Sequence, residues 1–361
     1  MTYKGKRMVA VWILWIIATI LSAALPTVSG HCETLRFVWL ADSRGDTLHE
    51  PVNKPVLNAI IAQIRALSPP PAFVVFGGDM SYRGYINGAY TFKAWKDLFE
   101  PLTSAGIALY TVIGNHELYY EHSANGFLLG NQKEFQKVFS ENPANGPSPD
   151  YHRLVYSFES PGADAFFAVL DPYYLVRSVT NPDLSGNIDD TQLKWLEDQV
   201  AKTKATHKFL FIHTPYYYVS GPDPSESPSS ANVTFTKLWS ILDKNRFVFY
   251  ACGHSHLYSR KAIDSSIAPN PQTDPPRPPW KHNVVQLLNG TSGAGHGGGT
   301  ITVDRALWHV FNAVDTYYFS VIDINDSIVT VTSYGGQAAP YQVIDRFPIN
   351  IIPNTSLLLL D

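Results

Sequence analysis

The sequence predicts a layered α/β fold built on two packed sheets, and three observations predict it. Short apolar runs alternate with helix-period segments through most of the chain. Paired strands with alternating polarity take over toward the end. Of the 361 residues, 45% are hydrophobic and only 16% charged, which excludes a disordered chain, collagen and a simple coiled coil.

The elements follow in order. Leu35–Ala41, Ala72–Gly77, Ala108–Ile113, Phe166–Leu170, Lys208–Ile212 and Phe247–Ala251 are short apolar runs and read as buried strands. Between them, Pro55–Ala66, Phe92–Phe99, Lys133–Phe139, Asp190–Lys202 and Thr234–Lys244 carry helical spacing. Asp189 and Asp190 supply a helix start, where negative charge is favourable. Val284–Leu288, Tyr317–Ile324 and Ile328–Tyr334 alternate, with Asn325-Asp326 as the hairpin turn between the last two. Ser220–Ser230 and Pro269–Pro279 read as surface loops. No repeat or linker divides residues 31–361, which are expected to form a single domain.

The N-terminus reads as an address. Lys4, Lys6 and Arg7 precede the apolar stretch from Met8 to Leu25, and small residues lead to Gly30. This is the pattern of a secretory signal over residues 1–30, cleaved after Gly30. An uncleaved membrane anchor is the rival reading, because the stretch is just long enough to span. Either reading exports the domain, to a periplasmic, extracellular or lumenal space. An oxidising compartment would permit a Cys32–Cys252 disulfide, although nothing in the sequence brings the two together. Two cysteines exclude a disulfide scaffold, and 27 basic against 31 acidic residues give no basic excess for nucleic-acid binding.

The chemistry collects just past the strands. Asp42 follows the first, Gly78-Asp79-Met80-Ser81-Tyr82 the second and Gly114-Asn115-His116-Glu117 the third. His213 follows another, and Gly253-His254-Ser255-His256 the last of the apolar six. Taken singly, each has an ordinary reading as a turn residue or a satisfied structural histidine. Two imidazoles two apart on an extended segment point the same way, which strengthens the last motif. Five strand ends in order with metal-capable side chains point to a site beyond the carboxyl edge of a sheet.

Taken together, Asp42, Gly78-Asp79, Gly114-Asn115-His116-Glu117, His213 and Gly253-His254-x-His256 resemble the calcineurin-like metallophosphoesterase superfamily. The resemblance implies a four-layer α/β/β/α sandwich of two packed mixed sheets. Most members carry Asp-x-His at the first motif, whereas this chain has Asp42-Ser43-Arg44. Purple acid phosphatases also lack that histidine and place a tyrosine three residues after the second aspartate, where Tyr82 stands. The resemblance is therefore to their branch, with Arg44 as a departure from it.

Carried over residue by residue, the resemblance implies two metal ions. One would be held by Asp42, Tyr82, His256 and a shared Asp79, the other by Asn115, His213, His254 and the same Asp79. The first set is rich in hard anions and suits Fe(III); the second suits a divalent ion, zinc, iron(II) or manganese. If Tyr82 packs instead of binding, two divalent ions are expected. Two metals about 3.5–4 Å apart would clamp the phosphate and supply an attacking hydroxide. His116 would protonate the leaving group, with Glu117 orienting it; a hydrogen bond in support of a ligand is its plainer role. Arg44 contacts the phosphate or pairs with Asp46. The tyrosines after His213, Tyr217 among them, stack on a substrate ring or merely pack. His296, in a glycine-rich run, stands either at the mouth of the site or in a plain loop.

The expected activity is that of an exported acid phosphatase acting on small phosphomonoesters. A phosphodiesterase for nucleotides or phospholipid headgroups, and a non-catalytic exported metal-binding protein, are the alternatives. A membrane enters only if the N-terminal segment stays attached.

Overall fold

The computed structural model describes residues 34–119, 129–174, 186–217, 233–266, 279–295, 309–311 and 316–351. The leader, Cys32, the loops Ser220–Ser230 and 269–278, and His296 lie outside the described residues. Glu33–Asp361 form one compact unit. No helix among the described residues is long and apolar enough to cross a membrane.

The first half of the chain lays down β1 (Leu35–Leu40), α1 (Lys54–Arg65), β2 (Phe73–Phe76) and the small hairpin β3 (Tyr85–Ile86) and β4 (Ala89–Tyr90). The short helices α2 (Phe92–Lys96) and α3 (Glu100–Thr103) lead to β5 (Ala108–Thr111) and α4 (Leu129–Val138). Then come β6 (Tyr156–Ser160), β7 (Ala165–Val169), α5 (Asp190–Lys202), β8 (His207–Phe211), α6 (Val233–Lys244) and β9 (Phe249–Cys252). The chain ends with β10 (Tyr258–Ile263), β11 (Val284–Asn289), β12 (His309–Phe311), β13 (Tyr317–Asn325), β14 (Ile328–Gly336) and β15 (Gln342–Asn350).

These strands make two mixed sheets. One runs β15-β14-β13-β1-β2-β5, the other β12-β10-β11-β9-β8-β7-β6. β1, β2 and β5 are parallel, as are β7, β8, β9 and β11. Apart from β5, an edge strand that is only partly buried, the parallel strands are buried on both faces, which explains why they read as continuous apolar runs. On one face of each sheet the side chains meet the other sheet. Phe37 packs edge-on against Phe167 and Phe209, at ring-centre distances of 5.4 and 5.5 Å, and Trp39 meets Phe211 at 5.3 Å. The opposite faces meet helices. Val38, Leu40, Val74 and Phe76 pack with Leu57, Ile60, Ile61 and Ile64 of α1. Leu210, Ile212 and Tyr250 pack with Leu196 of α5 and Leu238 and Trp239 of α6. Helix, sheet, sheet and helix therefore form the four expected layers.

Local chemistry places several boundaries. Asp189 caps α5 by accepting the Gln192 amide at 3.0 Å. Asp326, at φ 50°, turns the β13–β14 hairpin. Six strands have no counterpart among the expected elements: β3, β4, β6, β10, β12 and β15. β10 and β15 are charged and irregular in pattern, and Pro348 lies inside β15. That strand is an edge, where a missing amide costs no ladder bond. The Cys252 thiol is fully buried and free, and donates weakly to the Leu287 carbonyl at 3.7 Å.

Candidate metal centre

The carboxyl ends of β1, β2, β5, β8 and β9 bring the sequence motifs into one place. Three side chains there sit on left-handed backbone: Asp42 (φ 60°), Asp79 (φ 55°) and His254 (φ 69°). Such conformations are sparsely populated away from glycine and persist where surrounding structure imposes them. Gly78, at φ 91°, makes the turn before Asp79; a Cβ there would lie 2.7 Å from the Gly114 amide nitrogen and 2.8 Å from His213 Nδ1. The loops must approach this closely for their side chains to converge.

Asp79 lies at the centre and is 2% exposed. Its Oδ1 is 3.4 Å from His213 Nε2, and its Oδ2 is 3.9 Å from His116 Nε2. His254 Nδ1 is 3.2 Å from both His213 Nε2 and Asn115 Oδ1. Asp79, His213 and His254 thus form one convergent group. Asp42, Asp79 and His256 form a second, with His256 Nε2 3.7 Å from Asp42 Oδ1. Asp79 is common to both.

Three of the imidazoles are oriented by backbone carbonyls. His213 Nδ1 pairs with the Gly77 oxygen at 2.7 Å, His256 Nδ1 with Gly295 at 2.6 Å and His116 Nδ1 with Tyr82 at 2.7 Å. A carbonyl only accepts, so each Nδ1 carries the proton and each Nε2 offers a lone pair inward. Lone pairs of His213 and His256, an amide oxygen and two carboxylates therefore face one another in a buried space. Such a set is repulsive by itself and fits a bound cation on each side of Asp79.

The charges tell the same story. Burial works against a charged His213, but the Asp79 carboxylate outweighs it and holds the ring's pKa at about 10. A proton there takes the place of a cation. Burial drives His254 down to about 3, and the His213 charge adds to the effect. Burial also lowers His116, to about 4, against the pull of Asp79. Asp42 is pushed well above the usual carboxylate range by burial and by Asp79, with His213 opposing.

The family model for calcineurin-like phosphoesterases matches residues 36–258, more than half of the chain. The chain belongs to this family. Tartrate-resistant acid phosphatase type 5 of Sus scrofa is 24% identical over 277 residues, 67% of this chain and 73% of the relative. Its Rattus norvegicus counterpart is 25% identical over 271 residues, 67% and 74%. Among solved structures, purple acid phosphatase PPD1 from Lupinus luteus aligns at TM-score 0.58 and 17% identity over 89% of this chain, which spans only 54% of that protein. GAP50, the anchor in the inner membrane complex of Plasmodium, aligns at 0.56 and 16%, covering 89% and 90%. A dimetal phosphatase from Danio rerio aligns at 0.53 and 14%, covering 88% and 99%. The structural likenesses are likenesses of fold. The family and the acid phosphatase relatives make this chain a metal-dependent phosphoric ester hydrolase of the purple acid phosphatase-like branch.

The remaining residues of the phosphoesterase motifs have distinct surroundings. Glu117 does not orient the His116 ring, whose Nδ1 is held by Tyr82. Its carboxylate, 1% exposed, instead accepts the amides of Asp79, Met80 and Gly114 at 2.8, 2.7 and 2.7 Å. It ties the loop after β2 to the loop after β5. Burial and the neighbouring Asp79 push its pKa up to about 7. The Tyr82 ring stands 6.0 Å from that of His116 and under the Arg83 guanidinium at 4.9 Å. Arg44 pairs loosely with Asp46 at 3.4 Å, while its Nε is buried without a partner among the described residues. The Arg44 charge reaches His256, Asp42 and Asp79.

Tyr217 is half-buried and packs among neighbouring rings, the plainer of its two expected roles. Its ring meets Tyr216 at 4.5 Å and Trp239 at 5.5 Å, and its hydroxyl accepts from Trp280 Nε1 at 3.1 Å. The sequence reading also missed the loop after β11. Its Gly295 carbonyl holds His256, and its Ala294 amide donates to the Asp42 carbonyl at 2.8 Å. The only signal there was the Gly290–Gly295 run of small residues, since a carbonyl leaves no side-chain signature. Asn289, which begins an Asn-Gly-Thr triplet, is fully buried, with its amide donating to the Trp39 carbonyl at 3.2 Å.

Proposed function

We propose that this chain is an exported dinuclear phosphoesterase that hydrolyses small phosphomonoesters. One cation would be held by Asn115, His213, His254 and Asp79, the other by Asp42, Tyr82, His256 and the same Asp79. The observation that carries this is the sharing of Asp79 by two donor groups, each with one imidazole fixed by a backbone carbonyl, His213 in one and His256 in the other. Carboxylate and phenolate donors suit Fe(III) in the second set; imidazole and amide donors suit zinc, iron(II) or manganese in the first. Without Tyr82 as a ligand, two divalent ions would serve. When bound, the cations supply charge neutralisation for the phosphate and a water acidified for attack.

The chain's own residues do the rest. Asp79 and Asp42 hold positive charge in a buried place. His116, fixed by the Tyr82 carbonyl, turns Nε2 toward the same space, and in its imidazolium form, favoured as pH falls toward its lowered pKa of about 4, it delivers the Nε2 proton to the leaving oxygen. Arg44 offers a further positive group to a phosphate oxygen. Export rests on the N-terminal pattern of a basic start, an apolar middle and small residues.

The purified protein is expected to hydrolyse p-nitrophenyl phosphate, and Asp79→Asn to abolish it together with bound metal. Faster turnover of bis-p-nitrophenyl phosphate would move the assignment to diesters. Metal near one per chain with no hydrolysis of either would favour a binding protein. A visible tyrosinate-to-iron band, lost in Tyr82→Phe, separates Fe(III) from two divalent ions.

A further inference from the structure

The far end of the sandwich holds a cavity that phosphate ester hydrolysis does not use. Strand register defines that end. β11 runs parallel to β9, so both point their carboxyl ends at the metal centre and begin at the opposite edge. Val284, at the start of β11, faces Ile263 at the end of β10. In the other sheet, Asn350 at the end of β15 pairs with Ile328, which places it at the β13–β14 turn. The cavity, of about 510 Å³, opens between these strand ends. That is the size of ordinary small-molecule sites.

Its lining combines two chemistries. Phe247, Val285, Phe347 and Ile349 give apolar walls. Arg246, Arg260 and Lys281 bring positive charge. The nearby carboxylates are already engaged. Asp345 accepts from Arg260, whose guanidinium lies 4.2 Å over the Phe347 ring, and from the Tyr258 hydroxyl at 2.8 Å. Asp243 accepts the backbone amides of Lys281 and His282 at 2.9 and 2.7 Å and stands 3.5 Å from the His282 ring. The Arg246 guanidinium and the Lys281 ammonium have no carboxylate partner among the described residues. Lys208, beside the cavity lining and only 8% exposed, is held down by burial, with the Asp164 carboxylate opposing and the Arg246 charge adding to the fall. Like charges gathered at one rim, over apolar walls, are costly until an anion joins them.

We propose that this cavity is a second binding site, separate from the metal centre, for an amphiphilic anion. Its head group sits between Arg246 and Lys281, and its apolar body lies on Phe247, Val285 and Phe347. A carboxylate or a phosphonate head satisfies the same two cations.

Isothermal titration of the full chain tests this. Decanoate and decylphosphonate are expected to bind once per chain at the cavity, with decyl maltoside and inorganic phosphate about tenfold weaker there. Arg246→Ala/Lys281→Ala should weaken both decyl anions about tenfold or more while leaving p-nitrophenyl phosphate hydrolysis unchanged. Arg246→Gln/Lys281→Gln, which keeps polar length and drops charge, should do the same. Decyl maltoside binding as tightly as the anions would overturn the proposal. So would anion binding that survives both double variants but is lost in Asp79→Asn, which belongs to the metal centre. Binding of poly-glutamate with no binding of the decyl anions would overturn it in favour of an acidic peptide.

Discussion

The two halves of the candidate centre share Asp79 and differ in the charge of everything else. On one side stand His213, His254 and Asn115, 3.2 Å apart where they meet and neutral as donors once a cation replaces the His213 proton. On the other stand Asp42 and His256, separated by 3.7 Å, with Tyr82 nearby and the Arg44 charge reaching in. The neutral side depends on imidazoles for both affinity and geometry. The anionic side keeps two carboxylates even when its imidazole is lost. Donor charge, rather than donor count, therefore decides how each side responds to damage.

Removing one imidazole from each side sharpens this contrast and gives the largest effect. His254→Ala leaves Asp79, His213 and Asn115, a single anion for a divalent ion. His256→Ala leaves Asp42 and Asp79 together. Metal analysis should find His254→Ala short of about one ion per chain and down about a thousandfold in turnover, the several kcal/mol a catalytic metal supplies. His256→Ala should retain more metal and more activity. Equal loss in the two variants would break the comparison.

His116 stands outside both donor groups although its Nε2 faces Asp79 at 3.9 Å. His116→Asn is expected to lower kcat about a hundredfold, the lower range for a lost general acid, with metal content unchanged. The loss should be smaller for p-nitrophenyl phosphate, whose leaving group needs little protonation, than for an alkyl phosphate. Loss of metal in this variant would make His116 a ligand and redraw the boundary between the halves.

Glu117 links the halves mechanically. Its carboxylate accepts three amides from the loops that carry Asp79 and Asn115. Glu117→Gln replaces one acceptor oxygen with a donor, so it cannot satisfy all three. Denaturant unfolding should show a loss of about 1–3 kcal/mol, the cost of unpaired buried groups. Activity should fall about tenfold, less than for a lost proton donor.

How much of this was legible in the sequence depends on what carries the information. Asp42, Asp79, Asn115, His213, His254 and His256 were readable because side-chain chemistry recurs at successive strand ends. The parallel strands were readable because burial on both faces makes an apolar run. β10 and β15 were not, because one is polar in pattern and the other an edge that tolerates Pro348. The carbonyls of Gly77, Tyr82 and Gly295 that fix the imidazoles were invisible, since any residue supplies one. The Glu117 clamp was misread as a partner of His116 because adjacency in sequence hid the turn that sends its carboxylate back to three amides. Tyr217 was ambiguous for another reason: a tyrosine after a strand suits a site or a helix-covered layer equally, and only Trp239 and Trp280 decide.

The smallest expected effect lies outside the donor groups and probes the wall beside them. Asp171 follows β7, is fully buried, and accepts the Tyr173 amide at 2.7 Å. Burial pushes its pKa up to about 7, with the Tyr173 bond opposing and the charge of Asp189 adding to the rise. The folded pKa exceeds the ordinary carboxylate value, so the native state binds the proton more tightly than the unfolded chain does. Its contribution to stability is complete below about pH 4 and is lost as pH rises through about 7. The slope is at most about 1.4 kcal/mol per pH unit for one proton. Asp171→Asn stays neutral throughout and should flatten the fall in Tm between pH 4 and 7 while leaving metal content and turnover unchanged. An unchanged Tm profile would mean that Asp171 is ionised in the folded protein and that the burial beside His213 is less complete than its surroundings indicate.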